Sequence, residues 1–178
     1  MPVTDSEFDN AGGGLSFELV SVPAEPDVPP WLAERLRQPG VPRNLIRKRY
    51  LAGETARRIG GGSDLVSFGG PALAPIRMCV DLETGSVVTA FVPDGRRGAH
   101  VNATLDHFSE CIRAVQTMFP FYSPPDFEDW DEAADRVRLA ISTIDETAFG
   151  IGEETYWEAF FYDVQMGTFD PEMSDQGE

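Results

Sequence analysis

MCVDLETGSVVTAFVPDGRRGAHVNATLDHFSECIRAVQTMF, residues 78–119, is the stretch whose reading decides the fold. Residues 76–81 and 86–92 are rich in β-branched side chains, and LETG lies between them. Gly85 can take the positive φ that a tight hairpin turn demands, so the pair reads as a β-hairpin. A further short strand over 99–101 leads into a helix, with Asn102 as the predicted N-cap. Beyond it Leu105, Phe108, Ile112, Val115 and Phe119 recur at spacings of three and four, which is one apolar stripe on a helix of about four turns. Pro120 ends that helix.

Towards the N-terminus the pattern is weaker. Residues 1–14 are acidic and polar and close on a Gly-Gly-Gly run, which predicts a tail without fixed structure. LSFELV, residues 15–20, alternates apolar and polar and predicts a first strand. PAEPDVPP is an extended connection, after which residues 31–37 predict a short helix with Pro30 at its first position. Residues 43–62 predict an irregular segment with a strand near 55–60. From Leu65 onward the chain reads as sheet.

Towards the C-terminus PFYSPPD is a linker. Asp126 or Asp129 is placed to cap the next helix, whose stripe is Trp130, Ala133, Val137, Ile141 and Ile144. Acids crowd its first turn, as the helix dipole favours. A last helix over 153–166 carries Tyr156, Trp157, Phe160, Phe161 and Val164, with Gly167 as its terminator. Strands come mostly first and long helices last. The expected class is therefore α+β, a mostly antiparallel twisted sheet packed against several helices. The expected organisation is a tail over 1–14, one domain over 15–168 and a fraying acidic tail over 169–178.

Composition narrows the function. A chain of 178 residues with 42% apolar residues can bury a core without disulfides or metal. No run approaches the roughly 18 apolar residues of a membrane span. The first ten residues are acidic, where a secretory leader would begin basic and turn apolar, so a cytoplasmic protein is expected. The formal net charge of −16 argues against nucleic acid and anionic membrane as partners. It suits a basic protein partner. Residues 126–178 hold 16 acids against 2 bases, whereas residues 43–60 hold 6 bases against 1 acid. The basic segment can pair with the acidic one inside the fold.

Candidate chemistry is sparse. His107 and Cys111 share a helix face, but with Cys79 and His100 they show no ligand-loop spacing for a structural zinc. A Cys–His nucleophile would sit mid-helix, away from a loop that could present it. Cys79 and Cys111 read instead as buried free thiols. Gly60, Gly61 and Gly62, and then Gly69 and Gly70, lack the Gly-Lys-Ser/Thr ending of a phosphate loop and read as turns. Arg96 and Arg97 sit on an expected loop tip. Phe119, Phe121, Tyr122, Phe127 and Trp130 either form an exposed binding patch or pack the linker onto the sheet. No catalytic set, cofactor or metal is expected.

The order of several short motifs resembles a known family. Gly40, Val41 and Pro42 come first, followed by VDLETGSV (80–87), VNATLDHF (101–108), IDETAF (144–149) and YWEAF (156–160). The set is similar to the SUKH superfamily of bacterial immunity proteins, and most to its SUKH-4 group, over residues 32–167. Ala103 and Thr104 stand where that group carries two small hydroxyl residues. The resemblance implies a non-enzymatic protein that binds and neutralises a cognate toxin, often a nuclease or deaminase. It also implies partner binding on the sheet side and adjoining loops. Asp126, Glu128, Asp129 and Asp131 are the expected partner-binding residues, because they give an acidic face to a basic toxin. A non-toxin interaction or regulatory module of the same fold is the alternative. The sequence does not define an oligomeric state.

Overall fold

Six strands in simple chain order form the main sheet of the computed structural model, which describes residues 16–60, 64–92, 94–122, 129–150 and 154–170. They are β3 (Asn44–Leu45), β4 (Tyr50–Arg58), β5 (Leu65–Gly70), β6 (Ile76–Asp81), β7 (Val87–Phe91) and β8 (Arg97–Asn102). Every neighbouring pair is antiparallel. A two-stranded ribbon, β1 (Leu19–Val20) with β2 (Val41–Pro42), flanks it, and α1 (Pro30–Arg37) lies between those strands in the chain. The last third is helical: α2 (Leu105–Met118), α3 (Trp130–Ile144) and α4 (Tyr156–Gln165). The fold is α+β, as the patterning predicts.

The opening hairpin forms as read. Ile76 to Val80 pair with Phe91 to Val87 in unbroken register. Gly85 closes the turn at φ +76°, with its N–H donating to the Asp81 carbonyl at 2.7 Å. Side chains alternate across each strand, so the two sheet faces differ. On one face Val66, Phe68, Met78, Val80 and Val87 join the main core with Phe108 and Ile112 of α2, Val137 and Ile141 of α3, and Trp157 and Val164 of α4. On the other, Leu65, Cys79, Val88 and Ala90 form a small second cluster with Ile59. The sheet curls around this second face. Gly60, just past β4, and Gly95, between β7 and β8, are separated by three strands, yet a Cβ at Gly95 would lie 2.9 Å from the Gly60 Cα.

Four readings change. Asn102 does not cap α2: Thr104 does, its hydroxyl accepting from the His107 N–H at 3.1 Å. Residues 43–60 hold two strands, β3 and the nine-residue β4, joined by a 3-10 turn (Ile46–Lys48), where one short strand is expected. Tyr50 is fully buried and a register shift lies between Ala52 and Arg57, so the alternation that marks a strand is broken. Gly69 and Gly70 lie inside β5, because the Leu51 carbonyl and the Tyr50 ring approach too closely for a side chain at 69. Among the linker aromatics, Phe121 is buried in the main core and its ring contacts are with α4 and Phe169. Phe121 meets Phe160 and Phe169 at 6.1 and 5.5 Å, and the Tyr122 hydroxyl donates to the Val164 carbonyl at 2.6 Å. Phe127 and residues 1–14 lie outside the described residues.

Candidate functional site

Two of the motifs meet at one buried carboxylate. Asp145, 2% exposed, follows α3 and accepts four hydrogen bonds. They come from Asn102 Nδ2 and the Ala103 N–H, both at 2.8 Å, from the Thr147 N–H at 2.9 Å and from Thr147 Oγ1 at 2.7 Å. Asn102 Oδ1 accepts in turn from Trp157 Nε1 at 2.9 Å, and His100 Nε2 meets Thr147 Oγ1 at 2.9 Å. Burial pushes the Asp145 carboxyl up. The bonds from Thr147, Asn102 and Ala103 outweigh burial and hold it below the ordinary carboxylate range. The network ties β8, the start of α2, the turn after α3 and α4 together. It explains why VNATL, IDETAF and YWEAF occur as a set: each supplies part of one polar joint.

The thiols belong to packing. Cys79 and Cys111 are fully buried and free. Burial pushes both up to about 12, against the field of Arg77 at Cys79 and the Asn102 hydrogen bond at Cys111. Thiols held so far above neutrality are poor nucleophiles. His107 Nδ1 lies 3.7 Å from Asp145 Oδ2. Among the described residues, no group of three or more His, Cys, Asp and Glu is placed to hold a metal ion. No described helix is long and apolar enough to cross a membrane.

The acidic residues singled out in the sequence fall into two groups. Asp126 and Glu128 lie outside the described residues. Asp129 occupies the N-cap position of α3 without a side-chain capping bond, and Asp131 is exposed in the first turn, where it accepts from Gln165 Nε2 at 2.8 Å. Glu132 pairs with Arg136 across one turn at 3.6 Å. The basic segment is partly neutralised within the fold: Arg49 meets Asp163 at 2.7 Å, and Arg43 meets Glu18 at 2.7 Å.

The helix-free sheet face carries charge of the opposite sign. Register places Arg57, Ser67, Cys79 and Val88 in one row across β4 to β7. Arg77, Ala90 and Arg97 form a second row across β6 to β8. Directly opposed residues share a face, as do Arg77, Cys79 and Asp81 along β6, so the three arginines and Asp81 border the buried Cys79, Val88 and Ala90, around which the sheet curls. Arg97 pairs with the buried Asp81. Arg77 donates to the Ile76 carbonyl at 3.0 Å. Among the described residues neither Arg57 nor Arg77 has a carboxylate partner. This grouping is invisible in the sequence, because the arginines lie 20 residues apart and only cross-strand register unites them.

These features define an α+β domain with a curled antiparallel sheet and a buried polar joint between sheet and helices. A family profile, the SUKH-4 immunity protein, matches residues 20–163. The chain belongs to the SUKH-4 immunity protein family. The match spans the six-stranded sheet, α1 to α3, α4 as far as Asp163 and every residue of the Asp145 network. No curated protein and no solved structure matches the chain.

Proposed function

We propose that the protein is a cytoplasmic immunity protein that binds a cognate toxin of nuclease or deaminase type and neutralises it by occlusion, without catalysing a reaction. The observation that carries this reading is the family match over residues 20–163. Charge supports it. Enzymes that act on nucleic acid need basic surfaces, and a chain of net charge −16 would meet one by electrostatic steering. Asp126, Glu128, Asp129 and Asp131 are the proposed steering face.

The test is co-expression with the toxin domain encoded beside this gene. Growth arrest should be relieved, and the purified pair should form a 1:1 complex. Reversing the four acids to lysine should slow association, most at low salt, where charges are least screened. A toxin domain that arrests growth regardless and forms no complex would overturn the immunity reading. Unchanged association across a salt series would remove the acidic face from it.

A further inference from the structure

We infer that the outer face of α4, the stripe Ala159, Tyr162 and Met166, docks a basic amphipathic helix of the partner protein. The inference rests on the immunity reading and names the surface that would anchor the partner. α4 is apolar on two sides. Trp157, Phe160, Phe161 and Val164 are buried in the main core. At about 100° per residue, Ala159, Tyr162 and Met166 fall within about 60° of one another on the opposite side. Met166 stays in line because its N–H still donates to the Tyr162 carbonyl at 2.9 Å. Tyr162 is 49% and Met166 70% exposed, and Ala159 is exposed with them. The outward side of a surface helix is ordinarily polar, so an aromatic ring and a thioether in register there point to a contact.

The flanks of the stripe set the chemistry of the occupant. Glu158 and Gln165 border it on one side. Gln165 Nε2 donates to Asp131 at 2.8 Å, which brings the acidic first turn of α3 alongside. Asp163 borders it on the other side, 2.7 Å from Arg49. Arg138 of α3 lies over the Phe149 and Phe161 rings at 4.8 and 5.1 Å, so that cation is fixed in the seam between α3 and α4 rather than on the stripe. From Ala159 to Met166 the stripe runs about 10 Å, or two helical turns. An apolar strip of that length between carboxylates fits a helix whose own apolar stripe is edged by Lys or Arg. Tyr162 and Met166 supply the large contact area, and the small Ala159 leaves room for a bulky partner side chain. The acids then speed the approach, and the stripe slows the release.

The full-length chain, labelled with nitrogen-15, would be titrated with a 14-residue peptide of Leu and Lys patterned as an amphipathic helix. A Leu-Glu peptide of the same pattern and a Leu-Lys peptide of scrambled order serve as comparisons. The patterned basic peptide should shift the backbone resonances of Ala159, Tyr162 and Met166 and leave those of β6 and β7 in place. Y162S/M166S should weaken that binding about thirtyfold, with the urea midpoint unchanged because both side chains are exposed. D131N/E158Q should give a smaller loss that disappears at high salt. No shift in α4, equal shifts with either comparison peptide, or a dimer of the free chain that Y162S/M166S dissolves would each overturn the inference. The toxin domain encoded beside this gene separates the two readings, and Y162S/M166S should release it about thirtyfold faster than wild type. If wild type and Y162S/M166S bind that toxin equally, the docking face is wrong and the immunity reading stands. If the patterned peptide binds here but the toxin does not bind the wild type, the immunity reading fails alone.

Discussion

Asp145→Ala removes the acceptor that joins the end of β8, the start of α2 and the turn after α3. Four donors lose their partner: Asn102 Nδ2, the Ala103 N–H, the Thr147 N–H and Thr147 Oγ1. A buried donor left unpaired costs about 1 kcal/mol or more, so the substitution should cost about 4 kcal/mol. Domains of this size are stable by about 5–15 kcal/mol, so the variant should be folded but fragile. Asp145→Asn keeps one acceptor oxygen and sets an amide N–H against former donors. It should cost about 2 kcal/mol. Urea unfolding followed by circular dichroism gives both values, and Asp131→Ala, an exposed carboxylate, should stay within about 0.5 kcal/mol of wild type.

The same carboxylate makes a pH prediction. Its folded-state pKa lies below the ordinary value of about 3.9, so its stabilisation is complete above pH ~5 and fades as pH falls through the folded pKa. The gap between wild type and Asp145→Ala should narrow below pH ~4, whereas between pH 5 and 7 it also carries the protonation of His107, 3.7 Å from the carboxylate, and of His100, which feels its charge. A cost under about 1 kcal/mol at neutral pH, or a gap that fails to narrow as pH falls below ~4, would refute the reasoning.

Gly40→Ala should destabilise by about 3 kcal/mol or more in urea melts, since it combines φ +91° with a Cβ only 2.2 Å from the Val20 carbonyl oxygen. Gly85→Ala, at φ +76° but in open space, should cost only about 1–2 kcal/mol; equal costs would show that the β1–β2 contact does not restrict position 40. Thr104→Ala should lose about 1 kcal/mol of stability by removing the α2 cap, whose hydroxyl accepts at 3.1 Å. Both thiols should resist a disulfide reagent at pH 8 in the native protein and react at once in denaturant, because burial holds them near 12.

What the sequence reveals divides along a physical line. The 76–91 hairpin and the stripes of α2 and α3 are local: β-branching, a turn glycine and a 3.6-residue period need no distant partner to be read. Asn102 shows where local reading stops. By propensity it is a good cap, and it stands three residues before the first helical residue, Leu105, rather than one. Its amide is claimed instead by Asp145 and the Trp157 indole, 43 and 55 residues away. Thr104 caps in its place.

β4 fails for a related reason. Its buried Tyr50 and its register shift answer to the Phe68 and Phe108 rings, at 6.1 and 5.1 Å, and to β5, all of which the chain supplies later. The candidate site follows the same division. Acids in the first turn of α3 are visible as a run, whereas Arg57, Arg77 and Arg97 come together only once the four pairings from β4 to β8 have set their register. The Asp145 joint likewise unites residues of three motifs that lie 43 and 55 positions apart, and only the folded sheet and helices bring them within hydrogen-bond reach.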